Sequence, residues 1–318
     1  MSSLLSIILP VYNVENYIER CLRSICSQPE AAIIEIIIVD DGSKDKSVQI
    51  ANNYLSIQTH LNWRIIHQNN KGLGGARNTG IMHATSPYIW FVDSDDEIAN
   101  NSLNKILSTI NNTDDVLIFS YDQIPGQQAS VKSKDLFHLP GVEMFRVVAA
   151  NQVWRNIYRT EFLKANKIFF REHFLHEDGE FSMRVFALAK HMSFINHVIY
   201  KYHTANPNSI TNNLSFRNAN DLISYINTYA QIKCKYKLTV QQHWVLQKEI
   251  SNAILYIYIY SYKTNDNEWQ KIVKLIKLKR KQIYKNITLL SLKTKIIHYL
   301  LSYFPNKSLC KILFVKTI

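Results

Sequence analysis

The sequence predicts an α/β fold, a mostly parallel sheet over residues 1–214 followed by a helical region over 215–318. Three observations predict it. Short apolar runs alternate with segments of helical period through the first 125 residues, the pattern of right-handed βαβ units. The run Ile33 to Val39 is almost wholly apolar, as a strand covered on both faces requires. From about Ser215 onward the pattern is helical, with long aromatic-rich segments that end in a basic tail.

Leu4 to Leu9 reads as a buried strand ended by Pro10, and Tyr12-Asn13 as a turn. Val14 to Ser27 places Val14, Ile18, Leu22 and Ile25 at helical spacing, with Glu15, Glu19 and Arg23 on the other face. After the strand Ile33 to Val39, Asp40-Asp41-Gly42-Ser43 forms a turn leading into a helix over Ser47 to Leu55. Trp63 to His67 is the third strand, Gly72 to Ala84 a glycine-rich loop entering a helix, and Tyr88 to Val92 the fourth strand. A helix over Asn101 to Ile110 and a strand over Val116 to Tyr121 follow. Gln123 to Leu139 is polar and reads as an irregular loop. Gly141 to Ala150 and Thr160 to Asn166 are expected to be helical, as is the segment opened by Glu177-Asp178. Ser193 to Tyr202 is strand-like and runs into a loop, His203 to Thr211.

Composition narrows the class. With 47% hydrophobic and 19% charged residues, the chain has an ample core. Cys21, Cys26, Cys234 and Cys310 fall in no ligand-like spacing, which fits a reducing cytosol. Met1-Ser2-Ser3 carries no basic leader, and no window approaches the roughly 20 apolar residues a membrane span needs. The net charge of +12 is uneven: from Lys263 to the end, 13 Lys and Arg face only Asp266 and Glu268. Basic residues thus stand apart from the acidic chemistry, which argues against a nucleic-acid partner. The densely basic Lys271 to Lys285 and the Lys-containing apolar stretch Leu289 to Val315 suit a helix lying on an anionic membrane surface; the alternatives are a solvated basic face on a helical cap and an oligomerisation region.

Ligands of such sheets bind beyond the carboxyl ends of the strands. Three strand ends meet this rule: Pro10-Val11-Tyr12, Asp40-Asp41 and Asp93-Ser94-Asp95. In Phe91-Val92-Asp93-Ser94-Asp95-Asp96-Glu97, four carboxylates within five positions repel one another unless a cation sits among them. Their hard oxygens suit Mn²⁺ or Mg²⁺ with substrate phosphates completing the shell; the same acids would also serve as a solvated turn capping the next helix. Gly72-Leu73-Gly74-Gly75-Ala76-Arg77 lacks the third glycine of a dinucleotide fingerprint and follows the wrong strand. Lys71, Gly72 and Arg77 are instead candidates for phosphate at a helix start. His173, His176 and Glu177 form H-x-x-H-E, which matches no zinc motif. Glu177 and Asp178 are candidates for a general base or for partners of a helix dipole, and His203 for a phosphate or metal ligand.

Four segments, Ser6-Ile7-Ile8-Leu9-Pro10-Val11-Tyr12-Asn13, Ile37 to Ser43, Asn70 to Gly80 and Tyr88 to Asp96, resemble in order and spacing the family 2 glycosyltransferases of GT-A fold. Weaker matches continue through Val153 to Tyr158, His176-Glu177-Asp178 and Asn206 to Thr211. The resemblance implies that Tyr12 packs on the nucleotide base and that Asp41 accepts a base N–H, favouring uracil. It implies that Asp93-Ser94-Asp95 is the DXD motif, with Asp95 on the metal and Asp93 nearer the ribose. Asp178 would be the catalytic base, and Asp96, Trp154 and Glu177 are assigned to sugar or acceptor. His203 stands where many relatives carry Arg. The implied activity is inverting transfer of a hexose or N-acetylhexosamine from a UDP-sugar to a glycan or polyprenyl-diphosphate-linked acceptor in cell-surface polysaccharide synthesis. The implied location is the cytoplasmic side of the plasma membrane. A metal-dependent nucleotidyltransferase and an inactive nucleotide-sugar-binding module share some of these features. The first would lack a base such as Asp178, and the second would have no need of two intact acidic pairs.

Overall fold

The computed structural model describes residues 3–286 apart from 112, 127, 130–133, 149 and 205–214, together with 295 and 299. The expected loop beyond Thr204, the weak match at Asn206 to Thr211 and the apolar-basic stretch Leu289 to Val315 lie outside these residues, save for 295 and 299. The chain divides into two compact units, Met1–Asn206 and Pro207–Ile318.

The first unit is a mixed α/β layer around one sheet. Its strands are β1 (Leu5–Val11), β2 (Glu35–Asp40), β3 (Asn62–His67), β4 (Tyr88–Phe91), β5 (Glu97–Ile98), β6 (Val116–Ile124), β7 (Gln128–Ala129), β8 (Leu136–Leu139), β9 (Asn156–Arg159) and β10 (Met192–His203). Its helices are α1 (Ile18–Cys26), α2 (Ser47–Ser56), α3 (Gly72–His83), α4 (Ser102–Thr109), α5 (Gly141–Val147), α6 (Thr160–Ala165) and α7 (Glu177–Leu188). The strand order is β3-β2-β1-β4-β9-β6-β10-β5, with β7 on β6 and β8 on β10.

The first four strands of that order run parallel, and every residue of β1 and β2 is buried, as their unbroken apolar sequences require. Each fully buried Leu, Ile or Val there contributes on the order of 1.5–3 kcal/mol. The edge strand β3 is half-exposed, which matches its mixture of Arg64 and His67 with Trp63 and Ile65. Helix α3 lies close enough to β1 that a Cβ on Gly80 would stand 2.3 Å from the Ile8 side chain. Part of the glycine-rich run therefore serves helix–strand approach.

Two features depart from the expected parallel order. β9 runs antiparallel between β4 and β6, pairing Trp90 with Ile157 and Tyr88 with Arg159. Its first residues consequently lie beside the carboxyl end of β4, so the turn Val153–Arg155 arrives at the same edge as the acidic loop. The segment expected to be irregular contains β7 and β8, two short strands whose pairing comes from β6 and β10 and not from their own alternation. The first helix also begins at Ile18, because Val14 to Tyr17 form a turn in which Tyr17 N–H donates to Val14 C=O.

Buried Glu35 ties the opposite edge together. It accepts from the Ser6 hydroxyl and from the Thr85 N–H and hydroxyl, and pairs with Arg64 at 2.7 Å. Burial opposes its ionisation, but the Ser6 and Thr85 hydrogen bonds and the Arg64 charge outweigh it and hold its pKa below the usual value. A depressed pKa contributes stability above the unfolded-state pKa and loses it as pH falls.

The second unit is helical, with α8 (Phe216–Lys235), α9 (Val240–Lys263) and α10 (Asp266–Asn286). The Thr239 hydroxyl caps α9 by accepting from Gln242 N–H, and Glu268 accepts from Phe216 N–H at the start of α8.

We expect Glu35→Gln to lower the unfolding free energy by about 1–3 kcal/mol at pH 7. The gap to the wild type should close as pH falls through the carboxylate range, as read by urea unfolding at each pH.

Candidate active site

Because β2, β1 and β4 are parallel neighbours, their carboxyl ends open on one edge. The register pairs Val11 with Asp40 and Ile8 with Phe91, and Asp41 N–H donates to Val11 C=O at 2.9 Å. Pro10 and Val11 are buried, whereas the next residue, Tyr12, is 48% exposed and leaves its ring at the rim. Asp41 is fixed by Lys71 N–H at 2.8 Å and by the Gln68 side-chain amide at 2.6 Å, both donating to Oδ1. Asp40 turns to His67 and to Ser43 N–H. Burial raises its pKa, but those two contacts dominate and hold it below the ordinary value.

The loop after β4 is pinned from β10. The Tyr200 hydroxyl accepts from Asp93 N–H at 3.1 Å and donates to Asp96 at 2.8 Å, while His203 N–H donates to the other Asp96 oxygen at 2.7 Å. Asp96 is 1% exposed, and burial together with Asp93 and Asp95 pushes its pKa up to about 8. Its carboxylate thus lies inside the turn, bonded to β10. Arg20 of α1 donates to the Asp95 carbonyl at 2.5 Å and lies 3.4 Å from Glu97. His203 Nε2 meets Glu97 at 2.7 Å. The imidazole expected to reach a phosphate therefore already has a carboxylate partner.

Arg77 joins this loop to α7. Its guanidinium is 1% exposed and packs over the Phe170 ring at 5.2 Å. Nη2 donates to Asp93 at 2.8 Å, and Nη1 donates to Glu177 at 2.9 Å and to Asp178. The sequence reading offered Arg77 to a phosphate; in the fold its two terminal nitrogens bond three carboxylates. Glu177 is buried with it. Burial and the neighbouring Asp178 raise the Glu177 pKa against the pull of Arg77. Asp178 is also raised, first by burial, although Arg77 opposes the shift. Its side chain keeps partial exposure, and Oδ2 accepts from Val153 N–H at 3.4 Å. Asp178 stands in the first turn of α7, where the helix dipole favours a carboxylate.

The neighbouring Trp154 is 5% exposed and sandwiched between Tyr200, at 4.5 Å, and Tyr202, at 5.3 Å. It is core support for the β10 hydroxyl, not an open platform for a sugar. Lys71 remains exposed at the head of α3, and Gly72 takes φ +76°, a conformation that favours glycine. Half-buried His176 has its pKa pushed down to about 4 by desolvation, a neutral residue at the entry to α7.

The donor set fits one divalent cation. Asp93 and Asp95 are half-exposed oxygen donors, and Arg77 engages one Asp93 oxygen, Oδ1. Among the described residues no group of three or more His, Cys, Asp or Glu is disposed to hold a metal. One or two carboxylates with phosphate oxygens are the usual protein share for Mg²⁺. Arg77 offsets one of the three carboxylates it touches, which leaves excess negative charge suited to a cation and a proton.

Arg20 and Tyr200 were missed in the sequence because each is a lone residue within an ordinary helix or strand pattern. The tyrosine is legible only through its position next to Glu97–Ile98 in the β10–β5 pair.

The family model for Glycosyl transferase family 2 matches residues 6–192. EpsJ of Bacillus subtilis (strain 168), described as an uncharacterized glycosyltransferase, is 35% identical over 230 residues, spanning 66% of this chain and 64% of EpsJ. The matches span 64% of EpsJ and 60% of the putative glycosyltransferase EpsH of Bacillus subtilis (strain 168), less than two thirds of the length of either. The crystal structure of S. aureus TarS 1–349 in complex with UDP-GlcNAc has a TM-score of 0.78 at 21% identity, covering 100% of this chain and 91% of TarS 1–349. The mannosyltransferase PcManGT from Pyrobaculum calidifontis, in complex with GDP-Man and Mn²⁺, has a TM-score of 0.55 at 14% identity, covering 96% and 88%. At these identities the likeness is one of fold, the GT-A arrangement with C-terminal helices.

Removing one partner of a buried charge network leaves the others uncompensated. Arg77→Ala should therefore lower the unfolding free energy by about 3–5 kcal/mol, measured by urea denaturation. Arg77→Lys, which keeps the charge but loses the fork, should recover only part of the loss.

Proposed function

From the premise that this chain belongs to glycosyl transferase family 2, we propose that it transfers a hexose or N-acetylhexosamine from a UDP-sugar to a hydroxyl of a glycan or polyprenyl-diphosphate-linked acceptor, with inversion. The carrying observation is the buried Arg77 fork, which sets Asp93 at the end of β4 and Asp178 at the start of α7 on one guanidinium. Two acidic groups with different surroundings are thereby held at a fixed spacing. The TarS and PcManGT complexes, with UDP-GlcNAc and with GDP-Man and Mn²⁺, support a nucleotide-sugar donor and a divalent cation.

In this reading the Tyr12 ring packs on the base and Asp41, oriented by Lys71 N–H and Gln68, accepts a base N–H. Exposed Lys71 adds positive charge near the diphosphate. Asp93 and Asp95 would hold Mn²⁺ or Mg²⁺, which when bound stabilises the negative charge of the departing diphosphate. Asp178 takes the proton of the acceptor hydroxyl. The acceptor oxygen bonds to the anomeric carbon as the bond to phosphate breaks and its electrons pass to the diphosphate. Burial raises the pKa of Asp178, which strengthens it as a base, and Arg77 opposes that shift.

Polysaccharide synthesis at the cytoplasmic face of the plasma membrane is the setting this assigns, with the basic helical unit as the peripheral contact. No described helix is long and apolar enough to cross a membrane.

A panel of nucleotide sugars, assayed with and without Mn²⁺, should yield free UDP with one class of UDP-sugar and lose turnover after chelation or Asp95→Ala. A nucleotidylated product would contradict the reading. Asp178→Asn should lower kcat by about 10²–10⁴-fold while UDP binding stays within about twofold, since in this reading the base does not bind the nucleotide. Near-wild-type turnover would remove Asp178 from the role of base.

A further inference from the structure

The helical unit carries a charge pattern that the transfer chemistry does not use. Residues 207–318 hold 18 Lys and Arg against four acids. In α10, Ile272, Leu275, Ile276 and Ile283 are buried and pack the helix against α8 and α9. The opposite face exposes Lys271, Lys274, Lys277, Lys281 and Lys285. At 3.6 residues per turn these five lysines fall within an arc of about 120° and run about 21 Å along the helix. Lys271 pairs with Glu268 at 2.8 Å, whereas no ion pair among the described residues reaches Lys274, Lys277, Lys281 or Lys285. Like charges three and four residues apart repel, so the stripe costs the isolated helix stability. Within the stripe sits Leu278, 78% exposed.

We propose that this face of α10 docks on an anionic lipid bilayer. The buried side fixes the helix, so the lysines are presented as one ready-made row with little further ordering to do. Ammonium groups on four-carbon stems reach anionic headgroups while their stems and Leu278 enter the interfacial zone. The leucine selects lipid over a soluble polyanion. In water alongside a charged polymer its exposure gains nothing, whereas at the headgroup boundary it removes apolar surface from water. The inference extends the reading that the acceptor is lipid-linked, but docking itself requires no turnover.

The test uses the full chain and sedimentation with vesicles of phosphatidylcholine, with or without phosphatidylglycerol, at low and high salt. The wild type should bind only the phosphatidylglycerol vesicles and release as salt rises. Combined Lys274→Gln, Lys277→Gln and Lys281→Gln should lower partitioning about a hundredfold. The matched set Lys233→Gln, Lys235→Gln and Lys237→Gln, at the end of α8 and just beyond it, should lower it less than about threefold, and Leu278→Gln should lower it about tenfold. Helix content by circular dichroism checks that each variant folds. Equal binding to both vesicle types, retained binding by the α10 variant, or equal loss in the matched set would overturn the proposal. Leu278→Gln without effect, with the lysines binding inorganic polyphosphate instead, would overturn it in favour of a soluble polyanion. None of these failures touches donor turnover, which is assayed without lipid.

Discussion

One buried guanidinium constrains the candidate site. Asp93, Glu177 and Asp178 come from segments more than eighty residues apart in sequence, and each would resist burial as an isolated carboxylate. Arg77 makes their approach tolerable, and because its fork is planar it also sets their relative orientation. The loop after β4 and the first turn of α7 cannot move independently without breaking a charged hydrogen bond. For a displacement that needs a leaving group on one side and a base on the other, such fixed spacing removes much of the orientational cost.

The sheet brings the pieces to that arginine. Parallel β2, β1 and β4 deliver Asp41, Tyr12 and Asp93 to one edge, and the reversed strand β9 returns Val153 and Trp154 to it. From β10, the Tyr200 hydroxyl and His203 N–H hold Asp96 beneath the loop, so a fourth acid supports the other three from below. Trp154, stacked between Tyr200 and Tyr202, keeps that hydroxyl in place. Residues that look like ligands in a linear reading are thus divided between a surface set, Tyr12, Lys71, Asp93, Asp95 and Asp178, and an internal set that positions it.

Much of this was legible in the sequence. The strands β1, β2 and β4 and the starts of α3 and α7 follow from unbroken apolar runs, turn residues and helical period, which are local signals. What was not legible depends on partners. The direction of β9 is set by its neighbours, since four residues, Asn156 to Arg159, carry no mark of orientation. A glycine-rich run with a basic residue reads as a phosphate loop, yet Gly80 serves contact with Ile8, and Arg77 faces inward to acids that arrive a hundred residues later. Aromatic and acidic side chains such as Trp154 and Asp96 give no sequence signal for which side of the sheet edge they occupy.

In the proposed reaction two acidic groups act on opposite sides of one anomeric carbon, Asp93 and Asp95 with the leaving diphosphate and Asp178 with the acceptor. The most direct measurement is the anomeric configuration of the first-formed product by proton NMR, using whichever α-linked UDP-sugar the enzyme accepts. A β-linked product, or β-sugar when water is the acceptor, is the predicted result. Formation of the α-anomer would contradict single displacement and, with it, the roles assigned on the two sides of Arg77.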